Sequence, residues 1–270
     1  MDVQFTTLPR PKAGIDHEYG DRVHLLSLPY PMAMLTRLCQ QQTRQPEINH
    51  LVAALYDWML GEVSSRLLRT RDVKRPTRMA AMHSEAIYSG ECIDEKQRVV
   101  VVDIARGGIL PAHRLYHGLH HIIEAEQLRQ DHIIASRTTN SDGVVTGVDI
   151  SASKIGGGVE DATVLIPDPM AATGTSVSAV IDRYRSLPGG SPRVIATLHL
   201  IVTPEYIARL RKDHPEVHIF AIRLDRGLSA SEVLASRPGS RWSDEAGLNS
   251  IQYIVPGAGG VGELLNNSWV

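Results

Sequence analysis

The sequence predicts an α/β fold, a mainly parallel twisted sheet flanked by helices on both faces, and two observations predict it. Val99 to Val102, Val164 to Ile166, Val194 to Val202 and Val217 to Ile222 are short, nearly continuous apolar runs, as in strands buried on both faces. Between and after them, Ile109 to Leu119, Val177 to Leu187 and Pro204 to Lys212 place apolar residues at helical spacing. Strand–helix alternation of this kind builds parallel sheets covered on both sides.

Each element can be justified in chain order. Residues 1–22, polar and broken by prolines, read as an irregular amino-terminal arm, and 23–270 as a single domain. Pro46 to Arg69 reads as a long amphipathic helix through Leu51, Ala54, Leu55, Trp58 and Met59. The strand Val99 to Val102 leads directly into Asp103-Ile104-Ala105-Arg106-Gly107-Gly108, and a polar, glycine-containing stretch, Thr138 to Ser153, separates Arg137 from Lys154. The apolar run Ala162 to Pro167 ends at Asp168. The helix after it shows one face through Val177, Val180, Ile181 and Tyr184. No internal repeat or low-complexity tract interrupts the pattern.

Composition bounds the function. A chain of 270 residues with 43% apolar content can bury a full core, and a formal charge of -2 gives no reason to expect a nucleic-acid partner. Cys39 and Cys92 lie far apart, which suits a reducing compartment and argues against a thiolate zinc site. No 18-residue apolar span or signal peptide is expected, so no membrane association and a cytoplasmic location are the expectations. The twelve histidines are scattered, and His120-His121 reads as surface.

The chemistry concentrates where strands hand over to helices. In Asp168-Pro169-Met170-Ala171-Ala172-Thr173-Gly174-Thr175-Ser176, small residues let backbone N–H groups approach an anion, the following helix adds its positive end, and the hydroxyls of Thr173, Thr175 and Ser176 supply donors. Asp168 ends the strand, where open α/β sheets present their ligands. A carboxylate beside a phosphate makes sense if the ligand also carries hydroxyls, as a ribose does. Arg106 followed by Gly107 and Gly108 can present a guanidinium and peptide N–H groups to a diphosphate. Tyr253-Ile254-Val255-Pro256-Gly257-Ala258-Gly259-Gly260 is a glycine-rich loop that exposes peptide N–H and C=O groups and, taken alone, reads as an ordinary Pro-Gly loop.

The nonapeptide at Asp168 resembles the phosphoribosyl diphosphate motif of type I phosphoribosyltransferases. It is most similar to the uracil phosphoribosyltransferase version, Asp-Pro-Met-x-Ala-Thr-Gly-Gly-Ser, with Thr175 in place of the second glycine. Asp103 to Gly108 resembles that family's Leu-Arg-Ala-Gly segment, and the loop at Tyr253 its base-binding Tyr-Ile-x-Pro-Gly-x-Gly-Asp. Lys154 stands before Asp168 at the family's lysine spacing, and Arg137 fits loosely as a second diphosphate arginine beside the family's flexible arm. The resemblance covers roughly Val23 to Asn267 and implies a type I phosphoribosyltransferase-like fold with a small hood or arm from the amino- and carboxy-terminal parts. It further implies donor contacts from Arg106, Arg137, Lys154 and Asp168 to Ser176, with Arg106 and Asp168 catalytic. Base contacts would come from Tyr253, Ile254, Gly259, Gly260 and Val261. No metal-ligating residues are implied; Mg²⁺ would arrive bound to the substrate. A homodimer or higher homo-oligomer is implied as well.

Three departures cluster at the acceptor end. The family's aspartate in Gly-Asp-Ala is Gly260; its second acidic position survives as Glu263 but is followed by Leu264; and an insertion of approximately Ser229 to Ser250 carries Arg237, Arg241 and Trp242. The expected activity is transfer of phosphoribose from 5-phospho-α-D-ribose 1-diphosphate to a pyrimidine, uracil first, giving UMP and diphosphate. The alternatives are another pyrimidine-like acceptor, or a non-catalytic sensor of nucleotide or donor.

Overall fold

The computed structural model describes residues 14–139 and 145–268, with the side chains of 136–139, 145, 146 and 148 outside that description. In chain order the elements are β1 (Val23–Leu25), α1 (Pro29–Leu38), α2 (Glu47–Leu67), β2 (Thr70–Pro76), β3 (Ile87–Ile93), β4 (Val99–Ala105), α3 (Ile109–Leu119), β5 (Leu128–Thr139) and β6 (Val145–Lys154). There follow β7 (Thr163–Pro167), β8 (Met170–Ala171), α4 (Thr175–Arg185), β9 (Val194–Val202), α5 (Pro204–Asp213), β10 (His218–Leu224), α6 (Ser231–Leu234) and α7 (Val261–Asn266).

The main sheet runs β1-β10-β9-β7-β4-β5-β6, with β8 adding to β9. Every pairing in it is parallel except β5 with β6. The apolar runs explain why β4, β7 and β9 are central. All five residues of β7 are buried, and β4 sends Val99 and Val101 into one core and Val100, Val102 and Ile104 into the other. On the first face lie α1, α2, α3 and α7. On the second, α4 and α5 bring Val177, Val180, Ile181, Tyr184, Tyr206, Ile207 and Leu210. Helix α2 buries Ile48, Val52, Leu55, Tyr56, Met59 and Val63, one stripe at helical spacing, each large apolar side chain contributing about 1.5–3 kcal/mol.

Several expectations shift. Strand β4 continues through Ala105, so Asp103, Ile104 and Ala105 belong to the ladder and the turn after it begins at Arg106, Gly107 and Gly108. The described part of the stretch Thr138 to Ser153 is strand: β6 pairs antiparallel with β5, and residues 140–144 lie outside the described residues. The expected arm 1–22 is described only over 14–22, where the chain turns irregularly but buries Tyr19. That segment packs on 229–250: Tyr19 stands edge-on to Trp242, and the Glu18 N–H donates to the Pro238 carbonyl at 2.8 Å. The antiparallel pair β2–β3 forms a separate, largely exposed ribbon.

Candidate active site

From β4 the chain moves to β5 on one side and, after β6, to β7 on the other, so the strand order reverses between β4 and β7. The crevice outside the carboxyl ends of two such strands is where open α/β sheets bind ligands. The turn after β4 and the loop after β7 both open there.

The β7 loop is shaped by its own chemistry. The Asp168 N–H donates to Leu198 O at 3.0 Å, keeping the chain on β9, and β8 rejoins β9 beside Ile201 and Val202. Gly174, at φ 78°, then turns the chain into α4. A Cβ there would lie 3.1–3.2 Å from Arg209, Leu210 and Tyr206, so both the backbone angle and the closeness of α5 call for glycine. Helix α4 begins at Thr175 without a side-chain cap, and a concavity lined by Asp168, Met170 to Val177 and Tyr206 lies at this amino-terminal end, where a helix leaves N–H groups without intrahelical partners. The hydroxyls of Thr173 and Thr175 lie 3.1 Å apart. A more open cleft of about 300 Å³ near Ser153 and Arg183 contains none of the expected site residues.

Asp168 accepts the Met170 N–H at 3.3 Å through Oδ1, and its carbonyl accepts a 2.6 Å hydrogen bond from Nδ1 of His199 on β9. A carbonyl only accepts, so the His199 proton is on Nδ1. Burial lowers its pKa to about 4, and the ring, edge-on to Tyr206, is neutral. Sequence reasoning did not find His199 or Tyr206; each is a single residue on a distant element, with no spacing that marks it.

Arg106 follows Ala105 through a cis peptide. Its Nη1 donates to Ser268 Oγ at 2.7 Å, and Nη2 lies 3.8 Å from Glu263 Oε1. Behind it, a Cβ at Gly107 would lie 3.8 Å from Asp168 Oδ1 and 4.0 Å from Gly262 Cα. Gly107 is thus the meeting point of the turn after β4, the loop after β7 and the start of α7. Next to this turn, buried Asp103 pairs with His132 Nδ1 at 3.0 Å, and burial raises its carboxyl pKa against the opposing pull of that histidine. Lys154, exposed at the end of β6, lies in register with His132 and does not line the concavity at Asp168 to Val177. The Arg137 backbone belongs to β5; its side chain lies outside the described residues.

The glycine-rich loop is held at both ends. Val255 O accepts from Gly227 N at 3.0 Å, and Asp225 Oδ2 accepts from Gly257 N at 2.7 Å. Arg223, paired with Asp225 through Nε and Nη2, also donates from Nη2 to Gly257 O. Ile254 and Val261 are buried, Tyr253 is exposed, and Gly257 and Gly259 take positive φ. The side-chain position left by Gly260 is filled: a Cβ there would collide with Oε2 of Glu263.

Among the described residues no group of three or more His, Cys, Asp or Glu is arranged to hold a metal ion. Asp168 and Glu263 each place a carboxylate against the turn at Arg106 and Gly107, a donor set that would suit a cation whose ligands are mostly phosphate oxygens and water. No helix among the described residues is long and apolar enough to cross a membrane.

Comparison with known proteins identifies relatives of the whole chain. The family model for uracil phosphoribosyltransferase matches residues 26–239. The uracil phosphoribosyltransferase of Polaromonas naphthalenivorans (strain CJ2) is 28% identical over 90% of this chain and 97% of its own length. That of Acholeplasma laidlawii (strain PG-8A) is 29% identical over 82% and 94%. Among solved structures, the AQ2163 protein from Aquifex aeolicus superposes with a TM-score of 0.67 at 20% identity, covering 90% of this chain and 97% of that one, a likeness of fold. With a family model spanning most of its length and curated relatives aligned nearly end to end, the chain belongs to the uracil phosphoribosyltransferase family.

Proposed function

We propose that the chain transfers the 5-phosphoribosyl group of 5-phospho-α-D-ribose 1-diphosphate to a ring nitrogen of uracil, giving UMP and diphosphate. The observation that carries this reading is the convergence on Gly107, where a guanidinium turn, a carboxylate-led phosphate loop and the start of α7, the helix that follows the glycine-rich loop, come within contact distance. In the reaction the bond from ribose C1 to the diphosphate oxygen breaks, a C1–N bond forms, and the base nitrogen loses its proton. Positive charge builds on the ribose as negative charge grows on the leaving group, so positioning and electrostatics supply the catalysis.

In this reading Thr173 to Ser176 and the start of α4 take the 5-phosphate, and Asp168, its backbone anchored by His199, holds the ribose hydroxyls. Arg106 turns from Ser268 to the diphosphate; Arg137 and Lys154 approach from the β5–β6 strand pair. Peptide groups of Ile254, Gly259 and Gly260 read the base beside Tyr253 and Val261. Mg²⁺ carried by the donor would offset charge on the diphosphate oxygens. The same reading takes 23–270 as one catalytic domain with an insertion at about 229–250, acting in the cytoplasm as a homodimer or larger homo-oligomer. The test is one incubation with donor, Mg²⁺ and a mixture of pyrimidines, followed by mass spectrometry. UMP with equimolar diphosphate is expected. A different nucleotide would move the acceptor, and bound donor without any nucleotide would remove the catalytic reading.

A further inference from the structure

We propose that Glu263 is a selectivity residue of the donor site: its carboxylate, set beside the Arg106 guanidinium, admits the diphosphate group as its divalent-cation complex and disfavours the metal-free anion. The inference rests on the donor reading above and extends it to a residue given no role there.

Two features fix the carboxylate in place. Glu263 Oε2 occupies the space that a side chain at Gly260 would need, so the carboxylate folds back onto the loop. Its Oε1 stands 3.8 Å from Arg106 Nη2, with the two side chains 37% and 38% exposed. The backbones beneath are also close: a Cβ at Gly262 would lie 3.9 Å from Gly107 N. The carboxylate therefore bridges the base loop and the guanidinium expected to receive the leaving group.

The charge argument follows from this placement. A guanidinium alone would attract any diphosphate, whereas a guanidinium with a carboxylate beside it presents almost no net charge. A metal-free diphosphate must either displace Glu263 from Arg106 or sit against its negative charge. A divalent cation held on the diphosphate oxygens removes two negative charges and offers the carboxylate a positive neighbour. Because the pair is partly exposed, solvent screening keeps the discrimination moderate, about three- to tenfold in affinity.

The experiment is calorimetric titration of the full chain with inorganic diphosphate, once with Mg²⁺ and once with a chelator, for the unaltered protein and Glu263→Gln. The neutral, isosteric variant is expected to narrow the gap between the two dissociation constants by about three- to tenfold, chiefly through tighter binding of the metal-free anion. Gly260→Ala, which evicts the carboxylate by collision, should narrow it too. Far-ultraviolet circular dichroism and a thermal melt establish that both variants fold. A gap of the same size in folded Glu263→Gln overturns the role of Glu263 and leaves the donor reading standing. If the unaltered protein binds diphosphate under neither condition, both fall.

Discussion

At Arg106 the demands of folding and of chemistry separate. The side chain is 38% exposed and its ion pair with Glu263 is long, so the pair contributes little to stability. Facing a developing diphosphate charge it matters more: Arg106→Ala should lower kcat/KM by about 10²- to 10³-fold while shifting Tm by only about 2 °C. Steady-state kinetics beside a thermal melt would check this, and near-normal turnover would take Arg106 out of the site. Gly174 is the opposite case. Alanine there must hold φ near 78° and press on Tyr206 and Leu210, at a cost of about 1–3 kcal/mol in urea denaturation together with weaker donor binding. Both residues were legible in the sequence because glycine and hydroxyl clusters mark loops locally. His199 was not, since its importance comes from lying under Asp168 across a strand pairing.

Among the elements, residues 229–250 show how a peripheral segment reaches the site. Glu245, with its side chain fully buried, accepts from Arg226 at 2.7 Å, from the Gly239 N–H at 2.9 Å and from the Tyr19 hydroxyl. Arg226 in turn donates to the carbonyls of Val233, Leu234 and Ser236, and the next residue, Gly227, holds Val255 of the glycine-rich loop proposed to read the base. Glu245→Ala would strand a largely buried guanidinium, destabilising the protein by about 3–5 kcal/mol. In variants still folded at low temperature, KM for the base should rise more than KM for the donor; equal changes would disconnect the segment from the base loop. The central strands were legible because burial on both faces leaves continuous apolar runs. The ribbon β2–β3 was not: Thr-Arg-Asp-Val-Lys-Arg-Pro faces water over most of its length and lacks the apolar signal. Helix α1 was hidden by Pro29 and Pro31, which look like breakers but are tolerated in a first turn. Strand β8 is two residues long, set by pairing with β9 rather than by local preference.

Over the whole molecule, the buried histidines make stability depend on pH. His199 holds its folded pKa at about 4 through burial, against 6.5 for an ordinary imidazole. Above pH 6.5 neither the folded nor the unfolded state binds the proton, and the full stability is present. As pH falls from 6.5 toward 4, the unfolded chain takes up a proton that the folded protein refuses, and stability drops by about 1.4 kcal/mol per unit from this group alone. His218, also lowered to about 4 by burial and then by Arg22 and Arg211, acts in the same direction with a smaller effect because it is only partly buried. The Asp103 carboxyl, raised by burial, opposes this trend. His199→Asn separates the contributions: its amide can still donate to the Asp168 carbonyl but cannot titrate. Urea midpoints at pH 7.5 and 5.0 should fall further in the unaltered protein than in the variant, by about 2 kcal/mol in unfolding free energy. Equal falls would mean that His199 does not set the acid limit and that another buried group carries it.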